Sequence, residues 1–190
     1  MEELESIGPR KHRPFTAVSG LLLFLCLFLP AVRACGTPTY PYEIPAFTPP
    51  YVLGLVFALT ALARTRRGIG IGLGALRIAL GVMLLGGAVM LTRSTLVGFI
   101  LMGLALLLIG TLAGKAPPER RIALVSITAN VLWAVWFVLW CTDSGAMIGV
   151  YASLIGSLGL IVGGVMWLDD IALSLARPDL ARATVISSGP

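Results

Sequence analysis

Charge is scarce in this sequence: Asp, Glu, Lys and Arg make up 12% of its 190 residues, against about 25% in a water-soluble domain. An ordinary soluble fold is thereby excluded. Histidine occurs once, at His12, which removes HExxH metal motifs and His-based catalytic triads. No GxSxG nucleophile elbow is present. The three cysteines, Cys26, Cys35 and Cys141, are too few and too scattered for a disulfide scaffold or a zinc site, and without a CxxC pair they do not describe a thiol oxidoreductase. No carboxylate falls deep inside an apolar stretch, which disfavours a proton relay or an intramembrane cation site. Asp169 and Asp170 are adjacent, and neighbours on a helix point about 100° apart, a poor arrangement for a shared metal. The expectation is a protein with no catalytic residues, no metal site and no cofactor.

What the chain has in abundance is hydrocarbon. Hydrophobic residues form 57% of it, mean hydropathy is +0.95, and the apolar residues come in blocks joined by short polar segments. The reading is an all-α, polytopic membrane bundle of six transmembrane helices arranged as three hairpins. The spans are expected near 15–32, 50–67, 69–91, 96–113, 122–141 and 146–168. Residues 1–14 read as a polar cytoplasmic tail, 33–49 as a long outer loop and 171–190 as a second cytoplasmic tail. The second block is short of the ~17 to 25 residues a span requires. Pro49 and Pro50 suit its first turn, and outward-reaching arginines let it run on to Arg67. A threefold duplication of helix hairpins is one reading of the similar even-numbered segments; shared composition is the other.

Twelve of the fourteen bases are arginines, and their placement sets the orientation. With the N-terminus inside, cytoplasmic segments carry eleven bases and the outer segments only Arg33 and Arg93. Both termini are therefore expected in the cytoplasm of a bacterium, with the protein in its inner membrane. Bases in short inter-span clusters orient a chain rather than build a phosphate-binding face, so nucleic acid is not an expected partner. A rival reading treats residues 32–35, VRAC, as the end of a lipoprotein signal. Arg33 between the small positions and the acidic opening argue for an uncleaved first helix.

Arg77 is the most informative residue, because a guanidinium inside an apolar helix is costly and calls for shelter. Gly70, Gly74 and Gly81 share its face at helical spacing, so another helix is expected to approach there and cover it. Asn130, at matching depth in the fifth span, is the candidate partner, with Asp169 and Asp170 as alternatives. Arg77 then reads either as a snorkelling or internally bonded residue that fixes helix packing or, with Asn130, as a candidate ligand-binding residue for an anionic substrate or lipid headgroup. Cys35 and Cys141 both fall at the outer side and form a candidate disulfide. Arg64, Arg66 and Arg67 can attract anionic lipid headgroups. The proline-rich segment before Pro50 reads as an interfacial lid, Trp133, Trp136, Phe137 and Trp140 as packing volume, and the small residues of the last span as close-contact positions. Residues 68–74, GIGIGLG, lack the context of a phosphate loop.

The leading functional expectation is a non-enzymatic membrane protein with a structural, interaction or accessory role. Its partners would be the lipid bilayer, anionic headgroups, and other membrane proteins or further copies of itself. The alternative is a small transporter or channel-like carrier for an anionic or amphipathic solute, using Arg77 and Asn130. A membrane enzyme acting on lipid is disfavoured by the missing acid/base pairs.

Overall fold

The computed structural model describes residues 12–34, 36–44, 48–63, 66–91, 95–114 and 116–187. Helix is the dominant structure. Helix α1 (His12–Leu25) closes in a 3-10 turn at Cys26–Phe28 and leads into two short antiparallel strands, β1 (Val32–Ala34) and β2 (Thr37–Thr39). Helices α2 (Thr48–Leu62), α3 (Arg66–Leu91), α4 (Thr95–Ala113), α5 (Pro118–Cys141) and α6 (Ile148–Ser187) follow. Local chemistry explains several of these limits. Prolines occupy the first turns of α2 and α5, where no amide donor is needed. Arg121 Nη1, on α5, donates to the carbonyl of Leu112 at 3.2 Å, satisfying an open acceptor at the end of α4.

The helices sort into two groups. Consecutive helices pack as pairs, α1 with α2, α3 with α4 and α5 with α6, and α1 also lies along α6. Helices α1, α2, α5 and α6 therefore make one four-helix unit, while the α3–α4 pair leans on it through α2 and α5. A continuous core runs through both groups, from Leu23, Tyr51, Phe57 and Trp167 to Leu80, Leu104 and Leu108. Large apolar side chains remain exposed on the outside of every helix, including Val18, Leu59, Ile78, Phe99, Val135 and Ile155. Helices α3, α5 and α6 are long and apolar enough to cross a membrane; α1 with its 3-10 turn, α2 and α4 are shorter apolar helices. That pattern is compatible with a membrane location.

Three boundaries differ from the sequence reading. Helix α1 begins at His12, inside the stretch read as a tail, because His12, Thr16, Ser19, Gly20 and Leu23 form one buried face at helical spacing. Helix α2 ends at Leu62 and does not run on to Arg67; α3 starts at Arg66. Helix α6 continues well past residue 168, to Ser187.

The segment between α1 and α2 is built rather than loose. The amide of Arg33 donates to the carbonyl of Gly145 at 2.8 Å, that of Met147 to Ala31 at 2.9 Å, and that of Gly149 to Pro30 at 3.0 Å. These bonds fasten β1 to the α5–α6 turn, with Val32 bridged to Ala146. A 3-10 turn at Pro41–Glu43 follows β2, with Tyr40 and Tyr42 stacked at 5.3 Å and the Tyr40 amide donating to Glu43 Oε2 at 2.9 Å. Tyr40, Pro41 and Ile44 lie over Tyr51, Phe137 and Val150, so the segment caps this end of the bundle, here called the loop end. The opposite end, where α1 starts, is the tail end.

Candidate functional sites: a polar seam and an outward arginine

Among the described residues, the buried polar side chains are His12, Thr16, Ser19, Thr60, Ser126, Asn130, Ser153 and Ser157. All eight belong to α1, α2, α5 or α6. Their backbone is the antiparallel contact of α1 with α6. A Cβ added to Gly156 would meet Leu23, one on Gly159 would strike the Ser19 hydroxyl and one on Gly163 the Thr16 hydroxyl. Small residues at this spacing let the two backbones approach closely, as read from the sequence of α6. Further along, Gly149 lies so near Pro30 that an added Cβ would stand 2.6 Å from its carbonyl oxygen.

At the tail end this seam closes on His12, which the sequence reading assigned to a tail. The His12 side chain is 2% exposed. It stacks on Trp167 with ring centroids 4.7 Å apart and an interplanar angle of 11°. Its Nδ1 lies 2.8 Å from Asp170 Oδ2, the carboxylate accepting from the ring N–H. Asp170 is thus paired with His12 and not with Arg77, the alternative the sequence offered. Thr60 and Glu119 border the same spot, and the remaining space there is about 10 Å³, on the order of one water. Trp167 and Asp170 are one turn apart on α6, continuing the Gly156–Gly163 face. That spacing and the His12–Thr16–Ser19 periodicity mark the two faces in the sequence, though not their pairing.

Midway along the seam, Ser153 Oγ donates to the carbonyl of Gly149 at 2.6 Å and shares a hydrogen bond with Tyr51 Oη at 3.2 Å. Tyr51 in turn packs against Phe137, with centroids 6.1 Å apart. Asn130 is 2% exposed, and its Nδ2 donates to the carbonyl of Ser126 on its own helix at 2.8 Å. Thr16, Ser126 and Ser157 keep buried hydroxyls with no hydrogen-bond partner. A slender polar line thus runs through the four-helix unit, interrupted by tight glycine contacts.

Arg77 is elsewhere. It is exposed on the outer side of α3, next to Ile78, which is 70% exposed. Among the described residues, nothing outside the helix's own backbone approaches within 4 Å of a Cβ built on Gly70, Gly74 or Gly81. The expectation that these glycines bring a neighbouring helix over Arg77 is therefore corrected. Helix α3 packs through a different face: Ile69, Leu76, Leu80 and Met83 are buried. Gly72 on that face adjoins Thr60 of α2, and Gly87 adjoins Met102 of α4, where an added Cβ would stand 2.9 Å from the backbone nitrogen. The sequence offers two glycine faces on α3, and the one with leucines between its glycines is the one that packs. Arg77 and Asn130 are not brought together. Among the described residues Arg77 has no hydrogen bond and no ion pair.

Two apolar grooves flank the α3–α4 pair. One, of about 540 Å³, lies between α2 and α3 and includes Val52, Val56, Ile78 and Val82. The other, of about 320 Å³, lies between α4 and α5 and includes Phe99, Leu107, Trp133 and Trp136. Both are open on the outside, and their walls are nearly all hydrocarbon.

Of the remaining candidates, Cys35 and Arg64 lie outside the described residues, as does the side chain of Arg66; Arg67 is exposed at the start of α3. Cys141 is half-buried and carries a free thiol. The loop that a Cys35–Cys141 bridge would tie down is held to the α5–α6 turn by the backbone bonds described above. No family model, curated protein or solved structure matches this chain, so any functional reading stands on its own geometry.

Proposed function

We propose that this chain is a six-span protein of a bacterial inner membrane, with both termini in the cytoplasm and a non-enzymatic interaction or accessory role exercised through the outer face of α3. The observation that carries the reading is Arg77, exposed near the middle of the 23-residue apolar stretch Arg67–Val89 on a side of α3 that no other described element covers. A guanidinium at the centre of a bilayer costs about 2.5 to 3.5 kcal/mol on insertion scales, so a chain that keeps one there has a use for it. Flanking glycines supply the close approach that membrane helices use to associate. The eleven-to-two distribution of bases supports the orientation, and the exposed apolar faces of all six helices support the spans.

A carrier built on Arg77 and Asn130 finds less support, since one faces outward and the other is bonded to its own helix in the core. The test is photo-crosslinking in native membranes from single photoreactive residues at positions 74 and 81, with position 18 on the exposed side of α1 as control. A discrete protein adduct at 74 and 81 that is absent at 18 is expected. Lipid adducts alone, or the same adducts at all three positions, would overturn the reading. Labelling of either terminus from the medium in intact cells would overturn the orientation.

A further inference from the structure

We infer that the Arg77 face of α3 receives a transmembrane helix of a different protein, and that this helix carries a carboxylate at mid-membrane depth. The inference rests on the interaction role proposed above and names the partner's chemistry. It follows by elimination from charge and depth. Arg77 lies ten residues from Arg67 and twelve from Val89, so about 15 Å or more of helix separates it from either end of the span. That is close to half of a ~30 Å hydrocarbon layer, so a headgroup phosphate meets the guanidinium only where the side chain snorkels and the bilayer thins locally, which an acid at the same depth makes unnecessary.

The chain's own anions do not answer the charge. Its nine carboxylates are Glu2, Glu3, Glu5, Glu43, Glu119, Asp143, Asp169, Asp170 and Asp179, and each lies outside the apolar stretches or at an end of one. By sequence position, none falls at the level of Arg77. A second copy therefore offers no carboxylate at this level through any of its faces. Packed by the same face about a twofold axis, it would set one Arg77 against another. Asn130, the polar amide at comparable depth, is buried and bonded to its own helix. What remains is an acid on another protein's helix. An Arg–carboxylate pair between helices satisfies both groups where water does not. The open space beside Gly70, Gly74 and Gly81 lets the second backbone come near enough to make it.

The experiment uses the intact protein in phosphatidylcholine vesicles with a designed peptide: a Leu/Ala transmembrane helix with glycine at every fourth position of one face and a single central Glu. The peptide carries an acceptor for the fluorescence of the protein's tryptophans, and versions with central Gln and central Leu are run beside it. The Glu peptide is expected to half-saturate at a peptide-to-lipid ratio roughly three- to tenfold lower than the Leu peptide. Arg77→Gln should abolish that preference, and Arg77→Lys should keep part of it. Because Arg77 is exposed and makes no hydrogen bond or ion pair among the described residues, Arg77→Gln should melt in detergent like the parent, which separates lost pairing from lost fold.

Equal transfer for the Glu and Leu peptides would overturn the carboxylate while leaving the docking face standing. Absence of transfer from all three peptides would overturn the inference, with the crosslinking experiment then deciding the face on its own. Displacement of the Glu peptide by unlabelled copies of the protein would assign the face to self-association. Displacement by added phosphatidylglycerol, dependent on Arg77, would assign the guanidinium to a lipid phosphate. Either result would overturn the inference.

Discussion

The four-helix unit of α1, α2, α5 and α6 and the α3–α4 pair solve the same problem in opposite ways. The first turns its polar groups inward: His12, Thr16, Ser153 and Ser157 are all essentially buried, and glycines bring backbones together around them. The second keeps an apolar inner face, Leu76 and Leu80 against Leu104 and Leu108, and turns its charge outward at Arg77. Inside a bilayer, apolar burial alone does little to choose among helix arrangements, because lipid is as apolar as leucine. The polar seam and its glycine contacts therefore specify one register for α1 on α6. The α3–α4 pair holds its position mainly through shape, with the Arg121–Leu112 hydrogen bond where α4 meets α5, and it is flanked by two open grooves. One region is specified by its own polar contacts; the other leaves a charge and an open glycine face on its outer side.

The sharpest way to break this contrast is at Trp167. Its indole is 2% exposed and supplies the platform for His12, so Trp167→Ala leaves a cavity and strands the imidazole. A loss of about 3 to 5 kcal/mol is expected in reversible unfolding from mixed micelles. Leu85→Ala on the outer side of α3, where Leu85 is 69% exposed, should change stability by less than about 0.5 kcal/mol. Similar losses at both positions would mean that the two regions are not different in kind.

A second comparison uses one substitution in two places. Gly20→Ala places a methyl group against the backbone carbonyl of Gly54, which has nowhere to move, and should destabilise by about 1 to 3 kcal/mol despite alanine's better helix propensity. Gly81→Ala meets open space and should be neutral or stabilising by up to about 1 kcal/mol in detergent. The sign of the pair, read from two melting curves, is the result. A loss at Gly81 in native membranes but not in detergent would mark a partner on that face.

How much of this was legible in the sequence depends on which period is read. The helical plan, the close-contact face of α6 and the capping segment before α2 follow from composition, four-residue spacing and proline. Helix α3 misled because it carries glycines on two faces. The presence of Arg77 drew attention to Gly70, Gly74 and Gly81, whereas Gly72 and Gly87, interleaved with Leu76, Leu80 and Met83, make the contact. His12 was missed for a different reason. The basic residues and Pro9 before it read as a tail, yet the face that begins at His12 repeats through Thr16, Ser19 and Leu23 without a break. Its pairing with Asp170 joins residues 158 positions apart, a separation that no local pattern encodes.

That pairing gives the next effect in size. Asp170→Ala removes the acceptor at 2.8 Å from a ring that is almost wholly buried, and should cost about 1 to 3 kcal/mol. Asp169→Ala, one position away and exposed, should cost less than about 0.5 kcal/mol. Equal effects would mean that the pair adds nothing beyond surface charge.

The smallest expected effect is the most telling. Arg77→Leu should leave detergent stability within about 0.5 kcal/mol of the parent, because the side chain is exposed and makes no hydrogen bond or ion pair among the described residues. In a membrane the same change removes the largest penalty in α3 and should favour insertion by about 3 kcal/mol, readable as a higher inserted fraction of an isolated α3 segment. A residue whose loss improves insertion and spares the fold is kept for neither purpose. If Arg77→Leu instead unfolds the protein in detergent, the guanidinium belongs to the internal architecture, α3 is sheltered on that side, and the distinction between the two regions fails at its central residue.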